Sequence, residues 1–285
     1  MAFVSITNML TKAKREKYAV AQFNINGLLW IQAILESAEQ LKSPIILAVS
    51  DRMVEYLGGF ECIHNMVLSI HKKLNITIPV ALHLDHGMSV EHCLQAIDAG
   101  FSSVMFDGSH SEISENIKNT KLVCNYAKQK GVSVEAEVGT VGGNEDGLVG
   151  GVKYADFDEC LKLVSETKID ALAAALGSVH GKYNSSGPNL GFKEMERLNN
   201  SLKIPLVLHG ASGIPEPQLK KCIQFGHAKI NFNTELVTVW ANSVRNTLQN
   251  NPDICEPRLI MLPAKEALEQ KIKTIINTMG STNRA

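Results

Sequence analysis

One periodicity limits what this 285-residue chain can fold into. Short apolar runs rich in Val, Ile and Ala recur along its length, and between them lie segments with helical spacing. The runs are YAVAQFN (18–24), PIILAVS (44–50), PVALHLD (79–85), SVMFD (103–107), SVEAEV (133–138), ALAAAL (171–176), PLVLH (205–209) and KINFNT (229–234). Helical candidates include 28–41, 115–131, 156–168, 216–226 and 236–250, with Gly100, Gly131 and Gly226 placed as C-terminal caps. Continuous apolar strands alternating with helices describe a parallel sheet covered by helices. Eight such units fit an α/β fold of the (β/α)8 TIM-barrel type, with an extra C-terminal helix at about 264–279. The competing arrangement is a doubly wound open sheet, which usually has fewer strands and often a GxGxxG loop where this chain has FNING. No linker-like tract divides the chain, so residues 1–285 read as one domain.

Composition narrows the function. A net charge of −1 gives no electrostatic footprint for nucleic acid or an acidic membrane. The first residues lack the features of a signal peptide, and no apolar run reaches membrane-spanning length. Six cysteines without CxxC spacing point to reduced thiols in the cytoplasm rather than disulfides or a thiolate metal site. The expected partner is a small molecule.

A barrel concentrates its chemistry at the C-terminal ends of its strands. Those ends carry Asn24, Ser50, Asp85 with His86, Asp107, Glu137, His180, His209, and Asn231, Asn233 and Thr234. Three are histidines, and three neutral imidazoles with an open fourth position describe a catalytic zinc site. Asp107 and Glu137 could cap helices, pair with a lysine or form a second metal position. Strand alternation should point Asp85 and His86 to different sides, leaving Asp85 to act as acid or base beside the metal. His64, His71, His92 and His227 read as surface or packing residues. His83 shares the inward face of Asp85 and reads as a buried hydrogen-bonding group, while His110 has no assignment.

The glycine-rich HGASG (209–213) follows the seventh strand and NFNT (231–234, with Phe232 inside it) ends the eighth, where barrels commonly cradle phosphate. Gly181 and Lys182 add donors and a positive charge. The segment GTVGGNEDGLVGGVKYA (139–155) holds six glycines and reads either as a solvated loop or as a mobile lid. A zinc ion, a phosphate cradle and an acid suit cleavage of a phosphorylated ketose. The alternative, a lysine Schiff base, needs a lysine inside the barrel. Lys229 is expected at the start of its strand, at the wrong face for that role.

The runs LHLDHG, EAEVGTVGGNED, ALGSVHGKY, LVLHGASG and KINFNT resemble the class II, zinc-dependent ketose-bisphosphate aldolases over essentially the whole chain. The resemblance implies that His86, His180 and His209 bind zinc, with Asp107 and Glu137 as a second metal site. It implies Asp85 as proton donor to the aldehyde oxygen and Glu145 as the residue exchanging a proton on the dihydroxyacetone phosphate carbon. Gly181, Gly210, Ala211, Ser212 and Asn231 to Thr234 would bind that product, and Ser50 the other end of the substrate. Asn24 and Lys182 belong to the same expected substrate site. The family also binds a monovalent cation and forms homodimers or homotetramers. The wording SDR at 50–52, DGSH, EDGLVGGVKYAD and HGASG is similar to the inositol-catabolic branch, which cleaves 6-phospho-5-dehydro-2-deoxy-D-gluconate. There Arg52 could pair with the distal carboxylate in bidentate fashion; the alternative is an exposed helix-start residue. Fructose-bisphosphate and tagatose-bisphosphate aldolases remain competing readings, as does a barrel that binds a sugar phosphate without turnover.

Overall fold

The computed structural model describes residues 3–145, 148–151, 153–183 and 187–285, leaving aside the side chains of 144, 145 and 148–150. The chain begins with α1 (Ile6–Glu16), β1 (Val20–Asn24), α2 (Leu28–Gln40), β2 (Ile45–Ser50), α3 (Phe60–Lys73), β3 (Val80–Gly87), α4 (Val90–Asp98) and β4 (Ser103–Phe106). It continues through α5 (Ile113–Lys130), β5 (Ser133–Val138), β6 (Gly142–Glu145), β7 (Leu148–Gly150), α6 (Phe157–Thr167), β8 (Ala171–Ala174) and β9 (Val179–His180). The last elements are α7 (Phe192–Ser201), β10 (Leu206–Leu208), α8 (Glu216–Gln224), β11 (His227–Phe232), α9 (Thr234–Asn250) and α10 (Pro257–Met279).

Eight strands close a barrel in the order β1-β11-β10-β8-β5-β4-β3-β2, every neighbouring pair parallel. This is the (β/α)8 architecture expected from the alternation. Both faces of each barrel strand are buried, so the strands read as apolar runs without polar alternation. The larger apolar cluster lies between strands and helices. A second cluster fills the barrel's N-terminal end, where Ile6, Met9, Leu10 and Ala13 of α1 pack against Val20, Ile46, Ala81, Val207 and Ala228. That i, i+3, i+4, i+7 spacing makes α1 a plug under the barrel. No described helix is long and apolar enough to cross a membrane.

Several boundaries differ from expectation, each for a local reason. The C-terminal helix starts at Pro257 rather than 264, with Pro257 suited to a first helical turn and Pro263 accommodated inside the helix. β11 begins two residues earlier than expected, which moves Lys229 from the strand's edge into its interior. It also ends at Phe232, so Asn233 is the N-cap of α9 and Thr234 its first residue. β8 stops at Ala174, and the chain turns through Gly177 before reaching His180. The glycine-rich segment forms an antiparallel hairpin, β6 with β7, and β6 pairs in parallel with β9.

The six cysteines are free thiols, and Cys93, Cys160 and Cys222 are buried. His227 is a buried packing residue whose Nδ1 lies 3.0 Å from the Cys222 carbonyl. Burial pushes its pKa down to about 4. An unfolded histidine protonates near about 6.5, so stability should be lost as pH falls from about 6.5 toward 4, where only the unfolded chain gains the proton. His227→Gln should flatten that acid slope by up to ~1.4 kcal/mol per pH unit, read from urea midpoints across this window. An unchanged slope would contradict the assignment.

Candidate active site

The barrel rim gathers polar groups on one face. Asn24 ends β1, Ser50 ends β2 beside Asp85 in register, Glu137 lies near the end of β5, and His209 follows β10 directly. All are buried, as are Asp85 and Asn231. The Asp85 carboxylate accepts from Asn24 Nδ2 at 3.1 Å and from Asn231 Nδ2 at 3.4 Å. Two amides from different strands thus hold both of its oxygens.

His86 does not follow simple strand alternation. Its φ is +50°, in the left-handed region that costs a non-glycine residue about 1–2 kcal/mol, and the ladder to β4 shifts register between Leu84 and Gly87. Asp85 and His86 are separated by this kink rather than by the expected alternation. The His86 ring lies with its centroid 5.3 Å from His180 and 4.7 Å from His209, with 6.0 Å between the latter two. Ring nitrogens of all three fall within 4.8 Å of one another.

His180 reaches this triangle from β9 rather than from the end of a barrel strand, correcting its expected position. Its strand is confined on two sides. Gly143 pairs with His180 at φ +104°, where a Cβ would sit 2.0 Å from the His180 carbonyl oxygen. Gly210, next to His209, takes φ +66°, and a Cβ there would sit 2.4 Å from the Val179 carbonyl oxygen. Tyr183 joins the same two segments: its hydroxyl donates to the Gly210 carbonyl at 2.8 Å and accepts from Val179 N at 3.1 Å.

The protonation pattern of the histidines is set from behind. His86 Nδ1 lies 2.7 Å from Asp107 Oδ2, and His209 Nε2 lies 2.9 Å from Glu135 Oε1. Burial would raise the Asp107 carboxyl, but the hydrogen bond from His86 more than offsets it and holds it well below the usual range. Glu135 behaves alike, with the Lys229 ammonium overcoming burial. Ionised carboxylates only accept, so both protons sit on the outward nitrogens. Burial lowers the His209 pKa and keeps that ring neutral. The inward nitrogens, His86 Nε2 and His209 Nδ1, lie 3.0 Å apart, and Asn231 Nδ2 lies 3.4 Å from His209 Nδ1. With both inward nitrogens unprotonated, a cation between them would be held by two imidazole donors. Tetrahedral zinc with ~2.0–2.1 Å bonds to nitrogen places its ligands about 3.3 Å apart, close to that spacing. The donor set fits zinc.

Asp107 and Glu137 form a second possible cluster with His86. Burial, followed by the charge of Asp107, raises the Glu137 carboxyl well above its ordinary range. Its Oε1 accepts from Val141 N at 3.3 Å, and Oε2 has no hydrogen-bond partner among the described residues. Neither acid pairs with a described lysine.

Three groups below the rim enlarge the site. Lys229 lies fully buried inside the barrel, not at the wrong face, with Nζ 2.7 Å from Glu135 Oε2. An interior lysine therefore exists, but its amine is engaged by a carboxylate. Glu135 itself was legible, since it stands two residues before Glu137 on the same strand face, as Lys229 stands two before Asn231. His83 is buried, as expected, with Nδ1 2.8 Å from Ser103 Oγ; burial first, and then Lys229, push its pKa down to about 3.

The remaining expected residues lie around the mouth. Ala211 and Ser212 are buried, and Ser212 Oγ accepts from Glu235 N at 3.2 Å at the start of α9. Gly181 takes φ +92°. Phe232 is buried 6.1 Å from Phe23 between ring centroids, which leaves only its backbone for a ligand. Asn233 makes no side-chain cap bond. Lys182 lines a cleft of about 740 Å³ with Trp30, Met53, Tyr56 and Arg245. Arg52 is exposed in a 3-10 turn, Asp51–Met53, with no ion pair among the described residues. The preceding Asp51 is anchored, accepting from Met88 N at 2.7 Å and lying 2.6 Å from His92 Nδ1. Glu145 ends β6, and its side chain lies outside the described residues. His110 is exposed.

A barrel with a three-histidine cluster and an amide-held aspartate at its mouth matches known enzymes. The family model for class II fructose-bisphosphate aldolases matches residues 4–284. The chain is 60% identical over its whole length to 6-phospho-5-dehydro-2-deoxy-D-gluconate aldolase of Bacillus velezensis, covering 98% of that protein. It is 53% identical to the fructose-bisphosphate aldolase of Staphylococcus aureus across the full length of both. Among solved structures, the YdjI aldolase of Escherichia coli K12 aligns with a TM-score of 0.84 at 31% identity, over 99% of each chain. The chain belongs to the class II fructose-bisphosphate aldolase family and is an aldolase, a carbon–carbon lyase.

Proposed function

We propose that this chain is a zinc-dependent aldolase that cleaves 6-phospho-5-dehydro-2-deoxy-D-gluconate to dihydroxyacetone phosphate and malonate semialdehyde in inositol catabolism. The observation that carries the metal-dependent reading is the convergence of ring nitrogens of His86, His180 and His209 within 4.8 Å of one another, with Asp85 held by Asn24 and Asn231 beside them. His86, His180 and His209 would hold the zinc, and Asp107 and Glu137 would offer a second position. Zinc at this site supplies a Lewis acid that polarises the ketone carbonyl and stabilises negative charge on its oxygen.

In cleavage, Asp85 takes the proton of the hydroxyl that becomes the aldehyde, and in condensation it returns it. Asn24 and Asn231 fix the carboxylate for this transfer. The carbon–carbon bond breaks toward the dihydroxyacetone phosphate carbon, and Glu145 delivers the proton to that carbon. Gly181, Gly210 to Ser212 and Asn231 to Thr234 bind the phosphate through backbone N–H groups, helped by the N-terminus of α9. A monovalent cation near the phosphate belongs to the same reading. Ser50 and Arg52 face the distal carboxylate, for which an exposed guanidinium in the turn after β2 is suited.

The substrate assignment is supported by the 60% identity to the Bacillus velezensis enzyme. Fructose 1,6-bisphosphate is the second reading, favoured by the 53% identity to the Staphylococcus aureus enzyme. Exposed Leu248, Leu259 and Leu262 on α9 and α10 support a homo-oligomer, and the free thiols suit the cytoplasm.

Two measurements test the proposal. Asp85→Asn should lower kcat by about 10²–10⁴-fold while the bound zinc stays at the wild-type amount; undiminished cleavage would refute the proton-transfer role. Comparison of kcat/KM for the deoxygluconate phosphate, fructose 1,6-bisphosphate and tagatose 1,6-bisphosphate should favour the first by at least tenfold. A preference for fructose 1,6-bisphosphate would transfer the assignment to the second reading.

A further inference from the structure

Just below the histidine cluster the barrel interior holds a full ion pair where apolar side chains would be expected. Glu135 and Lys229 approach from β5 and β11 and are both fully buried, with 2.7 Å between Nζ and Oε2. Neither belongs to the three-histidine cluster. Moving two charges out of water costs several kcal/mol each, and uncharged residues of similar volume are often as stable or more so. Stability alone does not account for the pair.

Its geometry supplies a reason. Lys229 occupies Oε2 of Glu135, and the other oxygen, Oε1, lies 2.9 Å from His209 Nε2. His83 stands 3.9 Å from Oε2, a neutral neighbour whose Nδ1 is already tied to Ser103. We propose that the Lys229–Glu135 pair positions His209, locking it as the Nε2–H tautomer with Nδ1 turned toward His86, so that the metal site is formed before the metal arrives. The inference rests on the reading that His86, His180 and His209 hold zinc.

The argument runs through the donor and acceptor inventory. Lys229 fixes the direction of the carboxylate, and a carboxylate can only accept, so the proton must sit on Nε2. Moving the proton to Nδ1 would aim the Nε2 lone pair at Oε1 and leave a buried acceptor facing an acceptor, and flipping the ring would remove the hydrogen bond altogether. His86 receives the same service from Asp107, but Asp107 also stands in the second candidate cluster. Glu135 belongs to neither cluster, which leaves it free to act on His209 alone. Loss of such a partner to a metal-binding histidine typically weakens metal affinity by 10–100-fold.

The test uses the full-length protein with its metal removed. In wild type, imidazole ¹⁵N resonances should show His209 protonated at Nε2; protonation at Nδ1 would overturn the inference. Zinc affinity is then measured by competition with a chelating dye for wild type and for Glu135→Met/Lys229→Met, which removes both charges together. The double variant should bind zinc 10–100-fold more weakly while its unfolding midpoint stays within a few degrees. Binding within twofold of wild type would overturn the inference. If the double variant fails to fold, the wild-type tautomer decides. Absence of zinc binding by wild type would instead refute the metal reading beneath it.

Discussion

Two imidazole nitrogens 3.0 Å apart, His86 Nε2 and His209 Nδ1, with a carboxylate behind each ring, are the constraint on which the site depends. Asp107 draws the proton of His86 outward and Glu135 that of His209. The fold holds both rings at a spacing that a tetrahedral cation could bridge. Asn231 reaches both Asp85 and His209, and Asp107 and Glu137 lie beside His86.

The fold holds the rings by different means. His209 follows a barrel strand directly and is fixed from below by a buried carboxylate. His86 is bent into place by a left-handed residue at the end of β3, a local strain of the kind found at functional sites. His180 is carried by β9, in a small sheet formed by the glycine-rich hairpin, and that strand fits only because Gly143 and Gly210 present no side chain to it. The hairpin that carries Glu145 is thereby hydrogen-bonded to the strand that carries His180.

The barrel was legible because burial of both strand faces imposes an apolar signal that repeats with each unit. The rim residues were legible because a barrel gives its strand ends a common address. What escaped the sequence depended on single residues acting against local rules. α10 continues through Pro263, against the tendency of proline to end a helix, and its first two turns escaped for that reason. The early start of β11 concealed that Lys229 faces inward, and with it the reason for Glu135. Strand alternation separated Asp85 from His86 on paper, whereas a positive φ separates them in the fold.

The most direct test is anomalous diffraction at the zinc edge from crystals of the zinc-loaded protein. The account predicts one strong peak about 2.0–2.1 Å from His86 Nε2, His209 Nδ1 and a ring nitrogen of His180. A strong peak bonded to Nε2 of His209, or lying only among His86, Asp107 and Glu137, would contradict it.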